Sequence, residues 1–414
     1  MRILIITLYY EPLNNIAVTR IKAFKKYLTE FGHHVDILTR HYSEEDMNSS
    51  NLDIGLLDGD DLGGEYYKIN DVIYSKFKTT NSKLSLSNKL PKGIKGLYNL
   101  NQLDVFHYSF VEFGIKAYEK EFKHHTHDLI IASSPAPAVL LLAKEIYKKF
   151  GVKWIADFRD SYISGKESKT ILNAKKRALT KVLSSSSALL FVSEGMLELN
   201  KKYLNPKIFK KPHIIIRNGF YCANDKLDTK VLQQIKNIKS NYNKLLVYTG
   251  TIYPERNLDF FINSINKSQQ TQTAIIVVGV QKTEKERIKK MFPKVNVFFF
   301  DKVSQFTATK IQKTADFLLL SIWKNYYTGF SGKVFEYLYS GNKIILDYAP
   351  PKDLKNYLKE FPNIYYCNGD ENKFFEIINS NHKTKEVSKN LKDALLREKQ
   401  VQKLNLFLKK EVFN

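Results

Sequence analysis

The residues best placed to do chemistry lie in GFSGKVFEYLYSGNKIIL, residues 329–346. Ser331 and Gly332 stand where a helix would start, and a serine with a glycine there suits an N-cap and a close backbone approach. Gly341 suits the residue that ends the helix. The free N–H groups of such a start favour an anion through dipole and hydrogen bonding together, and Lys333 adds a full positive charge. Glu336, one turn deeper, cannot hold a phosphate, but its carboxylate can accept hydrogen bonds from a pair of hydroxyls, as on a ribose. The spacing predicts Val334, Phe335 and Leu338 on the core side, with Lys333, Glu336, Tyr337 and Ser340 on another. The alternative is a capped surface helix with an exposed lysine and glutamate.

Elements that could carry such a site run the length of the chain. Short apolar, β-branched runs alternate with amphipathic helical stretches. The first half gives RILIITL, HVDILTR, DLIIASS, KWIADFR, ALLFVS and HIIIRN; the second gives KLLVYTG, AIIVVGV, VNVFFFD, ADFLLLSI, NKIILDY and NIYYCN. Continuous apolar strands linked by helices predict parallel sheets buried on both faces, hence an α/β protein of two doubly wound, Rossmann-like domains. A polar stretch at 220–242 without strand pattern marks the boundary. The expected division is a first domain over 1–220, a second over 221–386, and a C-terminal helix over 387–414 packing across both. Residues 42–127 read as irregular, with a loop at 48–65 and an aromatic-rich helix at 103–122. That helix fits core packing better than an acceptor groove or a membrane contact. His33 and His34 are expected on the surface, in the turn before the second strand.

The chain has 414 residues, enough for two cores, and a formal charge of +23. Such a field attracts nucleotide-sugar diphosphates, nucleic acid or an anionic membrane face. The segment 199–217 holds six basic residues and no acid, either as a solvated face or as a lipid contact. No helix-turn-helix, zinc or aromatic RNA-binding pattern accompanies the charge, so sequence-specific nucleic-acid binding is not expected. Cys222 and Cys367 are the only cysteines, far apart, as in a reducing cytosol. No run is long enough to span a bilayer. The metal-like triplet Asp58-Gly59-Asp60 does not continue into a calcium loop and reads as a solvated turn.

Several segments in order resemble the bacterial glycosyltransferase family 4, retaining enzymes with the GT-B fold: residues 2–39, 130–162, 191–196, 214–220, 247–262 and 329–346. The resemblance implies two domains facing each other across a cleft. It assigns Glu336 to the nucleotide ribose and the turn Gly329, Phe330, Ser331 and Gly332, with Lys333, to the sugar diphosphate. Arg256, six residues after Gly250, matches a basic residue on the diphosphate, and Asn218 with Gly219 matches an Asn-Gly at the interdomain edge. Gly250 and Thr251 belong to the donor loop. Asn14, Asn15 and Arg20 fall on the acceptor side. Arg159 and Asp160 lie near the place of the family's His-Asp pair, beside the reacting sugar. Asp157 or Asp160 would orient the acceptor or the sugar; alternatively each is a strand-end carboxylate capping a loop or pairing with Arg159. Three positions depart from the family: Thr328 replaces a usual glutamate, Thr251 a basic residue, and Asn14-Asn15 a glycine pair.

The function so implied is a hexosyltransferase-like enzyme of family 4. It would move a sugar from a UDP- or GDP-linked donor to a lipid-linked saccharide in capsule, O-antigen or exopolysaccharide assembly. Retention, no metal and no cofactor beyond the donor are expected, as is a cytoplasmic location with peripheral contact to the inner membrane face. The alternatives are a nucleotide-sugar 2-epimerase of the same fold and a non-catalytic basic protein associated with membrane or nucleic acid.

Overall fold

The computed structural model describes residues 1–13, 16–42, 66–75, 108–134, 136–165, 167–221, 227–268, 271–322, 331–381 and 383–413. The chain divides into two compact units, one of residues 1–217 with 400–414, the other of residues 218–399.

In unit 1 the order is β1 (Arg2–Thr7), α1 (Ile16–Glu30), β2 (His34–Arg40), β3 (Tyr66–Ile69), β4 (Val72–Ser75), α2 (Tyr108–Phe122), β5 (Leu129–Ser133), α3 (Pro137–Phe150), β6 (Lys153–Phe158), α4 (Lys169–Leu183), β7 (Ala188–Phe191), α5 (Glu194–Tyr203) and β8 (His213–Ile215). The sheet runs β3-β4-β2-β1-β5-β6-β7-β8 and is parallel except for the β3–β4 hairpin. Alternation along β1 divides the core. Leu4 and Ile6 face α2 and α3, whereas Ile3 and Ile5 face Val18, Ile21 and Phe24 of α1 and the C-terminal Val401, Leu404 and Leu408. Gly114 of α2 sits so close to α3 that a Cβ there would lie 2.5 Å from Leu142 Cδ2. With Phe110, Tyr118 and Phe122 buried, the aromatic helix is core.

Two expectations change here. The stretch 42–127 contains the β3–β4 hairpin, turned at Asn70 with φ +50°. His33 is buried, its Nε2 2.8 Å from Asn405 Oδ1; only His34 is exposed. Asp58-Gly59-Asp60 lies outside the described residues.

Unit 2 contains α6 (Thr229–Ser240), β9 (Lys244–Thr249), α7 (Asp259–Ser268), β10 (Thr273–Val278), α8 (Lys282–Met291), β11 (Val297–Phe300), α9 (Gln305–Thr314), β12 (Phe317–Leu320), α10 (Gly332–Ser340), β13 (Ile344–Leu346), α11 (Lys352–Leu358), β14 (Ile364–Tyr366), α12 (Glu371–Asn379) and α13 (Lys389–Ala394). Helix α14 (Arg397–Phe407) begins in unit 2 and ends in unit 1. The C-terminal helical stretch is therefore two helices, broken at Leu395–Leu396, where Phe220 pairs with Leu396 in a parallel bridge. The sheet runs β11-β10-β9-β12-β13-β14, all parallel. Counted from β9 this is the order 3-2-1-4-5-6 of dinucleotide-binding sheets, whose ligands sit beyond the carboxyl ends of the central strands, where the winding reverses. Here those strands are β9 and β12.

Among the described residues no helix is long and apolar enough to cross a membrane.

Candidate functional site

The carboxyl end of β9 and the amino end of α10 meet at that switch point. Ser331 holds the N-cap position with extended backbone, but its side chain makes no capping bond. Gly341 closes the helix with φ +75°, its N–H donating to Leu338 O.

Lys333, in the first turn, reaches back over β9. Its Nζ lies 3.3 Å from the centre of the Tyr248 ring. Gly250 makes this approach possible: its φ is +107°, and a Cβ there would lie 3.4 Å from Lys333 Cε and Nζ. Lys333 is only 8% exposed, and its Nζ has no hydrogen-bond partner among the described residues. Arg256 is buried nearby, 7% exposed, on a turn closed by Arg256 N–H to Tyr253 O at 2.9 Å. Burial, and then the Arg256 charge, hold the Lys333 ammonium well below the usual lysine range; Glu336 opposes the shift. Two desolvated cations thus share one end of the sheet. A buried cation without a hydrogen-bonding anion is costly, and a bound diphosphate would relieve that cost.

Glu336 is half-buried. Burial pushes its carboxyl up, against Lys333, Arg397, Gln312 and Gln305, which favour the anion. Gln305 Nε2 donates to Glu336 Oε1 at 3.4 Å, and Gln312 Nε2 donates to Thr249 Oγ1 at 3.0 Å. Arg397 is buried, 5% exposed, and donates from Nε to Gly219 O at 3.2 Å. Phe220 stacks on Tyr339 of α10 with ring centres 4.1 Å apart, which pins the 218–220 segment to this helix.

The helical wheel fails at two positions. Tyr337 is fully buried and its hydroxyl accepts from Thr249 N–H at 3.0 Å, while Ser340 Oγ donates to Tyr337 O at 2.6 Å. Neither joins Lys333 and Glu336 on a ligand face. Thr251 is half-buried and its carbonyl accepts from Tyr248 OH at 2.8 Å. Asn218 is half-buried at the start of the segment that α10 pins. Gly329, Phe330 and Thr328 lie outside the described residues.

Unit 1 winds outward in the same way, from β1 and β5, and gathers a second group. Asp157 ends its side chain inside the protein, fully buried. Arg20 grips it with Nη2 to Oδ1 at 2.7 Å and Nε to Oδ2 at 3.1 Å, and Ser133 Oγ donates to Oδ2 at 2.8 Å. Arg20 also donates to Ile216 O at 2.9 Å. Asp157 is therefore paired with Arg20, not with Arg159. Arg159 and Asp160 follow on the strand-end loop, both half-buried. Arg159 Nη1 donates to Ala17 O at 3.3 Å. Asp160 has no hydrogen-bond partner among the described residues, and burial raises its carboxyl against the pull of Arg159. Asn14 and Asn15 lie outside the described residues.

No protein-family model matches the chain, and no curated protein matches it. Solved structures do. The chain superposes on Anabaena HepE in complex with UDP with a TM-score of 0.62 at 12% identity, covering 99% of this chain and 100% of that one. Against trehalose-6-phosphate synthase OtsA the TM-score is 0.62 at 12% identity, with 99% of each chain covered. Against UDP-GlcNAc 2-epimerase from Methanocaldococcus jannaschii it is 0.53 at 13% identity, with 99% of each covered. The fold is GT-B. At such identities the likeness carries the GT-B fold and nothing about the reaction, which must be argued from the residues.

Proposed function

We propose that the protein is a glycosyltransferase that takes a sugar from a nucleotide-diphosphate donor. The observation that carries this reading is Lys333, a buried ammonium without a hydrogen-bond partner among the described residues. It sits beside Arg256 at the uncapped start of α10, with Glu336 one turn deeper. A diphosphate would take the two cations and the helix amides, and the ribose hydroxyls would take Glu336. As the bond from the anomeric carbon to the diphosphate breaks, charge gathers on the leaving phosphate. Each donor aimed there is worth about 3–4 kcal/mol in a dry site. Lys333 and Arg256 together would do the work of a divalent metal.

This geometry supports the donor class, and the complexes of HepE with UDP and with UDP-glucose support a uridine or similar diphosphate. The acceptor we assign is a lipid-linked saccharide, with retention, within family 4 and in capsule, O-antigen or exopolysaccharide assembly; this finer part rests on the sequence resemblance alone. Asp160 is the carboxyl left to orient a reacting hydroxyl, because Asp157 is committed to Arg20. The fold also serves a UDP-GlcNAc 2-epimerase. An epimerase would return an epimerised donor without an acceptor.

The test is a thermal-shift panel of nucleoside diphosphates and nucleotide sugars, run with and without chelator. Ligands of the folded state raise stability with the logarithm of occupancy. We expect nucleoside diphosphates to raise the melting point with chelator present. A panel in which none does so overturns the donor site.

A further inference from the structure

One flank of unit 1 is basic over a long stretch. Residues 169–193 contain Lys169, Lys175, Lys176, Arg177 and Lys181 and no acid. Helix α4 buries Leu179, Val182 and Leu183. That leaves Lys169, Ile171, Arg177 and Lys181 exposed, with Ile171 37% accessible. Tyr203, at the end of α5, lies between Lys176 at 5.8 Å and Lys202 at 5.3 Å from its ring centre. Lys175 stands 4.7 Å over the Tyr162 ring. Lys211 Nζ donates to Leu183 O and Ser184 O, each at 2.8 Å, and so caps α4. This brings the exposed Lys207 and Lys210 beside the end of the same helix.

The nearest acids are largely spent. Glu167 accepts from Ser164 N–H, Gly165 N–H and Lys175 Nζ, with its carboxyl pulled down to about 2. Glu194 pairs with Arg217 at 2.7 Å, and Glu198 lies 4.0 Å from Lys201. Among the described residues Lys169, Lys176, Arg177, Lys181, Lys207 and Lys210 are in no ion pair, so the flank keeps a net positive charge.

We propose that this flank, α4 with residues 201–211, docks on an anionic phospholipid surface with α4 lying along the membrane plane. Charge complementarity argues for it, as does an exposed isoleucine among long lysines whose ammonium groups stand over tyrosine rings, the mixture that suits a headgroup boundary. Tyr203 and Phe209, the aromatic residues of the 201–211 segment, are half-buried and not exposed, which argues against stacking by single-stranded nucleic acid. The surface is a property of unit 1 by itself; its purpose, bringing the enzyme to a lipid-linked acceptor, rests on the proposed function.

The test uses the full chain with vesicles of phosphatidylcholine containing one-third phosphatidylglycerol, against vesicles of phosphatidylcholine alone. Each basic residue near an anionic surface contributes roughly a fivefold factor in partitioning. The triple variant Lys176→Glu, Arg177→Glu, Lys181→Glu should lose about a hundredfold or more in binding. The double variant Lys207→Glu, Lys210→Glu should lose at least tenfold, and added salt should mimic both. Circular dichroism on each variant separates misfolding from lost docking, and the double variant, outside helix α4, carries the test if the triple one unfolds. Equal binding to both kinds of vesicle, undiminished binding by a folded variant, or release of the protein from vesicles by single-stranded RNA each overturns the proposal. A flat nucleotide panel with vesicle binding that follows the charges would sink the donor site and leave this surface standing.

Discussion

Lys333→Met is expected to raise the stability of the free protein while weakening its hold on a diphosphate. The ammonium is buried, lacks a hydrogen-bond partner among the described residues and faces a second cation, Arg256. The Tyr248 ring at 3.3 Å attracts it by at most about 2 kcal/mol when desolvated, and the Glu336 carboxylate adds a charge attraction that does not offset burial. Exchanging buried charge for apolar volume of similar length commonly gains about 1–4 kcal/mol. A gain of about 2 kcal/mol would raise the melting temperature by roughly 4–8 °C in a unit of this size. The pH dependence has a definite sign. The folded chain binds this proton less tightly than the unfolded chain, in which lysine titrates near about 10.4. Wild-type stability should therefore climb with pH from the depressed value up to about that point, and methionine should remove the climb. Binding moves the other way. Losing one charge-assisted contact costs about 1.5–3 kcal/mol, so the dissociation constant for UDP should rise roughly tenfold to a hundredfold. Scanning calorimetry at neutral and alkaline pH, with and without UDP, reads all three quantities. A methionine variant that is less stable than wild type near neutral pH, or that binds UDP equally well, would refute the reasoning.

Three further outcomes are expected. Glu336→Gln should weaken nucleoside diphosphates by at least about tenfold and leave inorganic pyrophosphate unaffected, since only the ribose loses a charged acceptor; calorimetric titration showing equal losses would remove Glu336 from the ribose. Arg20→Ala leaves Asp157 charged, buried and unpaired, and should cost about 3–5 kcal/mol in denaturant unfolding, against little for a paired apolar replacement of both residues; a cost below about 1 kcal/mol would contradict it. Asp347 accepts from Ser321 Oγ and from Ile322 and Tyr348 N–H, and burial pushes its carboxyl up to about 6. Its stabilising share is present at low pH and lost as pH rises through 6, so Asp347→Asn should gain on wild type by about 2 kcal/mol between about pH 4 and pH 7; a constant difference across that range would disprove it.

The twelve strands named from sequence all form, because runs such as RILIIT and TAIIVV are buried on both faces and have no other stable place. The β3–β4 hairpin escaped notice because YYKINDVIYS mixes polar residues into both short strands and lacks the continuous apolar run that marked the others. Helix α10 was legible at both ends, from the serine and glycine at its start and from Gly341. Its faces were less so. A wheel sorts residues by angle, but Tyr337 turns inward because Thr249 offers an amide to its hydroxyl, and that amide belongs to another strand. For Lys333 the sequence left an exposed surface position open as the alternative, because nothing local announces that β9 ends within its reach. Arg397 was invisible. It influences Glu336 from a segment that follows a helix break, and only the Phe220–Leu396 pairing reveals it. His33 lost its surface position to Asn405, which arrives from the far end of the chain.

The two crossings between the units have a topological consequence. The chain leaves unit 1 after Arg217 and re-enters it at Gln400. On the unit 1 side, Arg217 N–H donates to the Gln400 side chain at 2.9 Å. On the unit 2 side, Arg397 N–H donates to Phe220 O at 2.9 Å. Unit 2 is thus an insertion whose entry and exit lie side by side in both halves. Removing such a module would leave the cut ends of its host, Arg217 and Gln400, already adjacent, and its own ends paired through Phe220 and Arg397.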